Sequence, residues 1–496
     1  MLLDAILTTI QPHNLLILMA STVVAIVVGA IPGLTVNMAV ALAVPLTIQM
    51  GPAASMLMLL ALYGAGIYGG SISAILLNAP GTPASAATCL DGYELAKQGQ
   101  AGKALKMALI ASLYGGLFSA LLLILVAPQL AAVALRFGPA ELAGLLVFSL
   151  TIVAVLSERS IVKGVLSAAI GMVLATAGND PMVSVQRFTF GWAELQDGFA
   201  YVPMLIGLFA VAEMFVQAER RFALGAKVID LRGADREANR ITREDLRRCA
   251  MPVVRSSLIG CVVGALPGLG SAIATFMGYA EAKRSSKRPE LFGKGAIEGV
   301  AGSEAANNAV TGSALIPLLA LSIPGDSVTA ILLGALLMQG VAPGPLIFTQ
   351  RPDMVYIIYC ALILSNLAFA VVGYVGLRPM TAVLRVPKVW LYPVILVMCV
   401  AGSFAIRSSV FDVFVMLGAG VLGYGLRLFG VPVPPLLIAF ILTRPFEESL
   451  RQALVKSEGS YLVFVTHPIA LFFLILACAA VLLTWRRNRR HRSDTP

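Results

Sequence analysis

The chain has 496 residues, of which 58% are hydrophobic and only 12% charged, and its mean hydropathy is +0.88. A soluble domain carries about 25% charged residues, so too little polar surface is present for one. The formal charge of +10 does not point to nucleic acid, because the basic residues gather in loops and at the tail, the pattern of the positive-inside rule. Apolar runs recur from Leu15 to Trp485, whereas a membrane barrel would show short alternating segments. The bilayer is the expected solvent.

The expected fold is an all-α polytopic membrane protein with about 10–12 transmembrane helices, some of them broken or re-entrant. The start, MLLDAILTTIQPHN, lacks a basic region and a small-residue cleavage site, so the first apolar run is expected to be retained. That start has no Lys or Arg and is placed outside. Helices are expected near 107–127, 140–157, 161–178 and 200–217. The loop 179–199 carries Asp180, Glu194 and Asp197 against Arg187 alone and is placed outside. The stretch 219–248 is the most basic of the chain and is placed in the cytoplasm. The loops with Lys97, Lys103 and Lys106, with Lys283 to Lys294, and with Arg378, Arg385 and Lys388 join it there, as does the tail WRRNRRHR. Later helices are expected near 355–377, 390–407, 410–428, 430–443 and 461–485. Six cysteines show no C-x-x-C spacing, which indicates neither disulfides nor a zinc site.

Two passages return. Val28-Gly-Ala-Ile-Pro-Gly-Leu34 reappears as Val263-Gly-Ala-Leu-Pro-Gly-Leu269, and Ser73-Ala-Ile-Leu-Leu-Asn-Ala-Pro-Gly81 resembles Pro317-Leu-Leu-Ala-Leu-Ser-Ile-Pro-Gly325. Same order and similar helical runs downstream indicate a duplication. The expected organisation is a first membrane repeat over 1–217, a cytoplasmic linker over 218–250 and a second repeat over 251–443. An outer segment with a final helix over 444–485 and a basic tail over 486–496 follow. The first copy enters from an uncharged end and the second from a basic loop, so the two repeats are expected to be inverted, as in secondary transporters.

Each repeat holds two Pro-Gly breaks: Pro32-Gly33, Pro80-Gly81, Pro267-Gly268 and Pro324-Gly325. Pro removes a backbone donor and Gly weakens the helix, so an apolar helix stops there. The helix that restarts presents free N–H groups and its positive dipole end, which suits an anion. Small polar side chains flank the breaks: Thr35 and Asn37, Asn78 and Thr82, Ser271 and Thr275, Ser327 and Thr329. They offer directional hydrogen bonds with little charge, enough for carboxylate oxygens, or they merely cap half-helices. The candidate substrate set is Gly33, Thr35, Asn37, Asn78, Gly81, Thr82, Gly268, Ser271, Asn307, Asn308, Gly325 and Ser327. Asn307 and Asn308, with Thr311 and Ser313, read equally as interhelical hydrogen bonds. Asp326 is either the cap of its half-helix or a site for a coupling proton or cation. Glu304 and Glu213 are weaker candidates, expected near the cytoplasmic face with partial burial.

An enzyme would need a nucleophile with its base or a metal-ligand set. The three histidines, His13, His467 and His491, lie far apart, and neither H-E-x-x-H nor G-x-x-x-x-G-K-[ST] occurs. No enzyme activity and no cofactor are therefore expected, only a coupling ion, Na+ or H+. A carboxylate-permeable channel or a structural membrane subunit is the alternative to a transporter.

The run 279–325, YAEAKRSSKRPELFGKGAIEGVAGSEAANNAVTGSALIPLLALSIPG, closely resembles the large membrane subunit of tripartite tricarboxylate transporters, the TctA family. The segment 63–105, GAIPGLTVNMAVAL near the start and FEESLRQAL at 446–454 resemble it too, so the likeness covers nearly the whole chain. It implies a small four-helix membrane subunit and a soluble periplasmic solute-binding protein as partners. It also implies carboxylate uptake across the bacterial inner membrane, driven by an ion gradient without ATP. Gly33, Gly81, Gly268 and Gly325 match the family's motifs, as do Asn78, Asn307 and Asn308. The chain departs from the family at Ser322, usually Gly, at Asp326, usually a small residue, and at Ile438 to Thr443, where glycines are usual. Asp326 is then expected to tune substrate choice in this member.

Overall fold

The computed structural model describes residues 1–156, 160–183, 185–219, 235, 237–377, 379, 384 and 388–493. Most of the basic stretch 219–248, with Arg220, Arg221, Lys227, Arg232 and Arg236, lies outside the described residues, as do Arg378 and Arg385. Helices dominate. Among the described residues seven are long and apolar enough to cross a membrane: Pro12–Ala30, Pro52–Leu77, Ala101–Ala134, Tyr201–Glu219, Arg243–Ala265, Pro352–Gly376 and Val410–Leu428. Six shorter apolar helices join them, and the described strands amount to a two-residue pair, Gly178–Asn179 against Gln186–Arg187. The chain is an all-α polytopic membrane protein.

The helices expected at 140–157, 200–217, 355–377 and 410–428 appear within a few residues of those bounds. Two expectations are corrected. The helix expected at 107–127 is Ala101–Ala134, because the flanking residues Ala101 to Lys106 and Gln129 to Ala134 favour helix although some are polar. The short helix expected at 430–443 is Val433–Lys456, which continues through Pro445 into the segment assigned as outer. Its polar end is held by ion pairs: Arg187 makes a two-pronged contact with Glu447, at 2.8 and 3.1 Å, and Arg451 reaches Asp180 at 2.7 Å. The Met182 and Val183 N–H groups, with Arg451, hold the Asp180 carboxyl below the usual range.

Two helical hairpins form the centre, and they open to opposite ends. Pro12–Ala30 turns at Pro32-Gly33 into Val36–Thr47, whose end meets Ser55, with Ser55 Oγ donating to Thr47 O at 3.2 Å. Arg243–Ala265 turns at Pro267-Gly268 into Gly270–Ser285; Arg255 pairs with Glu281 and Ser256 Oγ donates to Gly278 O at 3.1 Å. The 34-residue helix Ala101–Ala134 spans the distance between the two openings, about 50 Å at 1.5 Å per residue. Lys103 near its start binds Asp245 at 2.9 Å, at the mouth of the second hairpin. Ile124 and Pro128 near its end share a cavity with Leu2, Ile6 and Pro352, at the mouth of the first. The hairpins thus enter the fold head to tail.

The loops also sort by end as their charge requires. Gln98 Nε2 donates to Lys294 O, Asn239 bonds the backbone of Gly99, Gly102 and Lys103, and Arg248 pairs with Glu298. Three of the basic loops therefore meet at one end. The acidic loop 179–199 meets the Val433–Lys456 terminus at the other.

Backbones approach closely at the hairpins. A Cβ on Gly29 would lie 2.1 Å from Gly66 O, and one on Gly69 would lie 2.6 Å from Ile26 O. Gly29→Ala should therefore cost about 1–3 kcal/mol through overpacking and lower the melting temperature in detergent. Gly418→Ala, where a Cβ meets open space, should leave it unchanged. Equal melting of both variants would refute this packing.

Candidate functional site

The four breaks fall into two conformational kinds. After Pro12–Ala30 and after Arg243–Ala265 the next residue, Ile31 or Leu266, is extended, and the glycine that follows Pro takes a positive φ, +96° at Gly33 and +82° at Gly268. L side chains rarely adopt that conformation. After Pro52–Leu77 and after Leu315–Leu321 the helix ends on a left-handed non-glycine residue, Asn78 (φ 53°) or Ser322 (φ 59°). The polar side chain tolerated there differs, but the geometry is the same. Gly81 and Gly325 are needed for space instead: a Cβ would lie 2.0 Å from Gly29 O and 2.7 Å from Gly264 O respectively. Gly29 and Gly264 occupy equivalent places in the two copies of the Val-Gly-Ala-x-Pro-Gly-Leu passage.

Within each half the two breaks touch. Gly268 N–H donates to Gly325 O at 2.9 Å, and Gly81 N–H reaches Gly70 O at 3.4 Å beside Gly29. Across the halves, Asn37 Nδ2 donates to Ser327 Oγ at 3.0 Å. Gly268, Gly325, Asp326, Ser327 and Asn37 therefore form one locus. The pair Thr82 and Ser85, 3.0 Å apart, belongs to the other half's breaks. Thr35 caps its helix by accepting from Met38 N–H at 3.2 Å, and Gly33 packs on Gln217. Ser271 is half-buried in the first turn of Gly270–Ser285, a helix start with no side-chain cap. Asn78 is exposed.

Asp326 is a cap. Thr329 N–H and Oγ1 both donate to its Oδ1 at 2.8 Å, and Thr329 Oγ1 accepts from Asp326 N–H at 2.8 Å. Its second oxygen accepts from Tyr63 OH at 2.5 Å. This helix start thus carries its own anion, and the free N–H groups expected after Pro324-Gly325 are already answered. Tyr63 escaped the sequence reading, because a tyrosine inside an apolar helix is ordinary until its partner is known.

Asn307 and Asn308 are buried elsewhere, on Ile297–Ser313 beside Glu304. Thr311 Oγ1 donates to Asn308 O at 2.7 Å and Ser313 Oγ to Ala309 O at 2.8 Å, so both hydroxyls serve their own helix. The expected partial burial of Glu304 is corrected: it is 0% exposed, because the small residues around it let neighbouring helices close over it. Glu213 is neutralised by Arg427 and bonded to Gln217 Nε2 at 2.9 Å.

Tyr63→Phe leaves one oxygen of a buried carboxylate without its donor and should cost about 1–3 kcal/mol in thermal unfolding. Asp326→Asn, which keeps a capping oxygen, should lose less than Asp326→Ala, the latter costing about 1 kcal/mol or more. A wild-type melt in Tyr63→Phe would contradict the pairing.

Two curated proteins of Agrobacterium vitis are similar to the chain. The "Uncharacterized 52.8 kDa protein in TAR-I ttuC' 3'region" is 37% identical over 490 residues, covering 98% of this chain and 96% of that protein. The "Uncharacterized protein in TAR-II ttuC' 3'region" is 38% identical over 235 residues, 47% of this chain and 97% of that protein. No solved structure matches. The family model of the tripartite tricarboxylate transporter TctA family matches residues 15–438, and the chain belongs to that family.

Proposed function

We propose that this membrane-spanning transporter component is the permease subunit of a binding-protein-dependent secondary transporter that imports carboxylates on a sodium or proton gradient. Its partners are then a small four-helix membrane subunit and a periplasmic solute-binding protein, and its site is the bacterial inner membrane. The basic end faces the cytoplasm with the C-terminus, and the N-terminus faces the periplasm. The duplicated halves over 1–217 and 251–443 alternate around the breaks they share.

The observation that carries the reading is the meeting of the breaks. Irregular backbone at membrane depth is tolerated only where protein buries it or where it lines a cavity. Here Gly268 and Gly325 are hydrogen-bonded to each other, and Asn37 of one half holds Ser327 of the other. Substrate recognition falls to the Gly268–Ser271 turn with Asn37 and Ser327. The start of Gly270–Ser285 lacks a side-chain cap and offers its N–H groups to a carboxylate, whereas Asp326 caps the helix start at the next break. A second carboxylate of the substrate takes the Asn37 amide or the Ser327 hydroxyl. Breaking the Asn37–Ser327 contact for the substrate would then couple occupancy to the relation of the two halves.

The test is uptake of a labelled panel of mono-, di- and tricarboxylates into proteoliposomes holding this chain and the small subunit. An imposed sodium or proton gradient is applied with and without the binding protein. Accumulation above the external level, dependent on the gradient and the binding protein, is the expected result. Asn37→Ala and Ser327→Ala should each raise the half-saturating concentration roughly fivefold to tenfold, the loss of about one hydrogen bond. Passive equilibration without accumulation would make the protein a channel.

A further inference from the structure

Ile297–Ser313 is buried along its whole length and consists largely of small residues. Neighbouring backbones come close: a Cβ on Gly115 would lie 2.2 Å from Ala305 O, and one on Gly260 2.3 Å from Ala306 O. Into this dry crossing the chain places a carboxyl group, that of Glu304. Oε1 accepts a hydrogen bond from Thr88 Oγ1, and Oε2 accepts one from Ser112 Oγ at 3.3 Å. Thr88 Oγ1 is also 3.1 Å from Ser303 Oγ. Asn307 lies alongside, one turn further on.

No cation answers this carboxyl among the described residues. On the helices packed around it, Lys97 is paired with Glu94, Lys103 with Asp245, Arg248 with Glu298, and Arg255 and Arg284 with Glu281. Lys106 donates to Asn239 O at 2.8 Å, and Arg243, Arg247 and Lys283 are exposed. The titratable side chains that do face Glu304 are Tyr68 from Pro52–Leu77 and Cys89 from Ala86–Lys97, neither of which brings positive charge. Asp91, further along Ala86–Lys97, is engaged by the N–H groups of Gly293, Gly295 and Ala296. An isolated carboxylate in such surroundings is costly unless a proton or a cation neutralises it. Thr88 Oγ1 is in direct hydrogen-bond contact with Oε1, and Ser112 Oγ with Oε2. A proton fits.

A second observation points the same way. Among the described residues, both amide atoms of Asn308 and the hydroxyl of Tyr68 are buried with no hydrogen-bond partner. Buried polar groups are rarely left so, and an unanswered set next to a buried acid is what a site with two arrangements requires. We propose that Glu304 is the proton-carrying group of the transport cycle, neutral in the closed packing seen here and ionised when the crossing opens to water. On opening, the proton passes from the carboxyl oxygen to water, and the buried amides of Asn307 and Asn308 stand ready to donate to the carboxylate left behind. Thr88 sits on the helix that follows the Pro80-Gly81 break, and Glu304 on the helix that leads toward Pro324-Gly325. Protonation therefore bears on the elements attached to a break in each half.

This inference rests on the transporter reading above, and its test separates the two. Glu304→Gln keeps the size and neutrality of the protonated acid. In proteoliposomes its proton-driven accumulation should fall roughly tenfold or more, while carboxylate counterflow stays within about threefold of wild type and loses its pH dependence. Infrared difference spectra, which need no substrate, should show a protonated-carboxyl band that titrates in wild type and is missing in Glu304→Gln. Three results would overturn the proposal: wild-type accumulation by Glu304→Gln, loss of counterflow together with accumulation in folded Glu304→Gln, or no Glu304-dependent band. Absence of any carboxylate counterflow in wild type, with the band present, would sink the carboxylate reading and leave the proton carrier standing.

Discussion

Everything in the centre of this protein depends on one constraint: a helix broken inside the bilayer must find partners for the backbone it exposes. The chain meets it by letting breaks serve each other. Gly268 gives its N–H to Gly325 O, and Gly81 lies against Gly29 and Gly70. Such contacts need backbones nearly touching, which is why the positions opposite each break are also glycines, Gly29 and Gly264. The small-residue seams along Pro12–Ala30, Pro52–Leu77, Arg243–Ala265 and Ile297–Ser313 follow from the same need. Each element of the site is thus fixed by packing rather than by charge.

Two buried carboxyls of the second half, Asp326 and Glu304, are treated oppositely. Asp326 is saturated, with Thr329 on one oxygen and Tyr63 on the other, at the positive end of its own helix. Its oxygens are committed to the start of its own helix and to Tyr63, so it serves as a fixed part of the break. Glu304 lies mid-helix, away from either dipole end, and among the described residues it meets the hydroxyls of Thr88 and Ser112 and the amide of Asn307 but no cation. The same side-chain chemistry is structural in one place and labile in the other because of what surrounds it.

The breaks were legible in the sequence because Pro-Gly inside an apolar run admits few backbone solutions, and their repetition paired them correctly. Gly33 with Gly268 and Asn78 with Ser322 share conformations that local chemistry dictates. The gathering of basic loops at one end was legible too, since charge density orders them. Partners distant in the chain were not: Tyr63 finds Asp326 across 263 residues, and no local pattern carries that information. Glu304 was misjudged for a related reason. Its helix follows a basic loop, which suggests a place near the cytoplasmic face, whereas burial is decided by which neighbours small residues allow to approach. The length of Val433–Lys456 escaped because its polar end is stabilised by Asp180 and Arg187, residues of a remote loop.

The two halves share a framework but differ in chemistry, and that difference has a consequence. Where Asp326 supplies an anion to its helix start, the first half has Thr82 with Ser85, a neutral pair. Where Glu304 sits in the second half, the alignment that pairs Asn78 with Ser322 places Leu60 in the first. A strictly symmetric pair of inverted repeats would have two states of equal energy, exchanged by swapping the halves. Asp326 and Glu304 stand in the second half where Thr82 and Leu60 stand in the first, which breaks that degeneracy. If Glu304 carries the proton as proposed, the state that exposes it to water has no counterpart in its mirror image, and its ionisation biases the balance between the two.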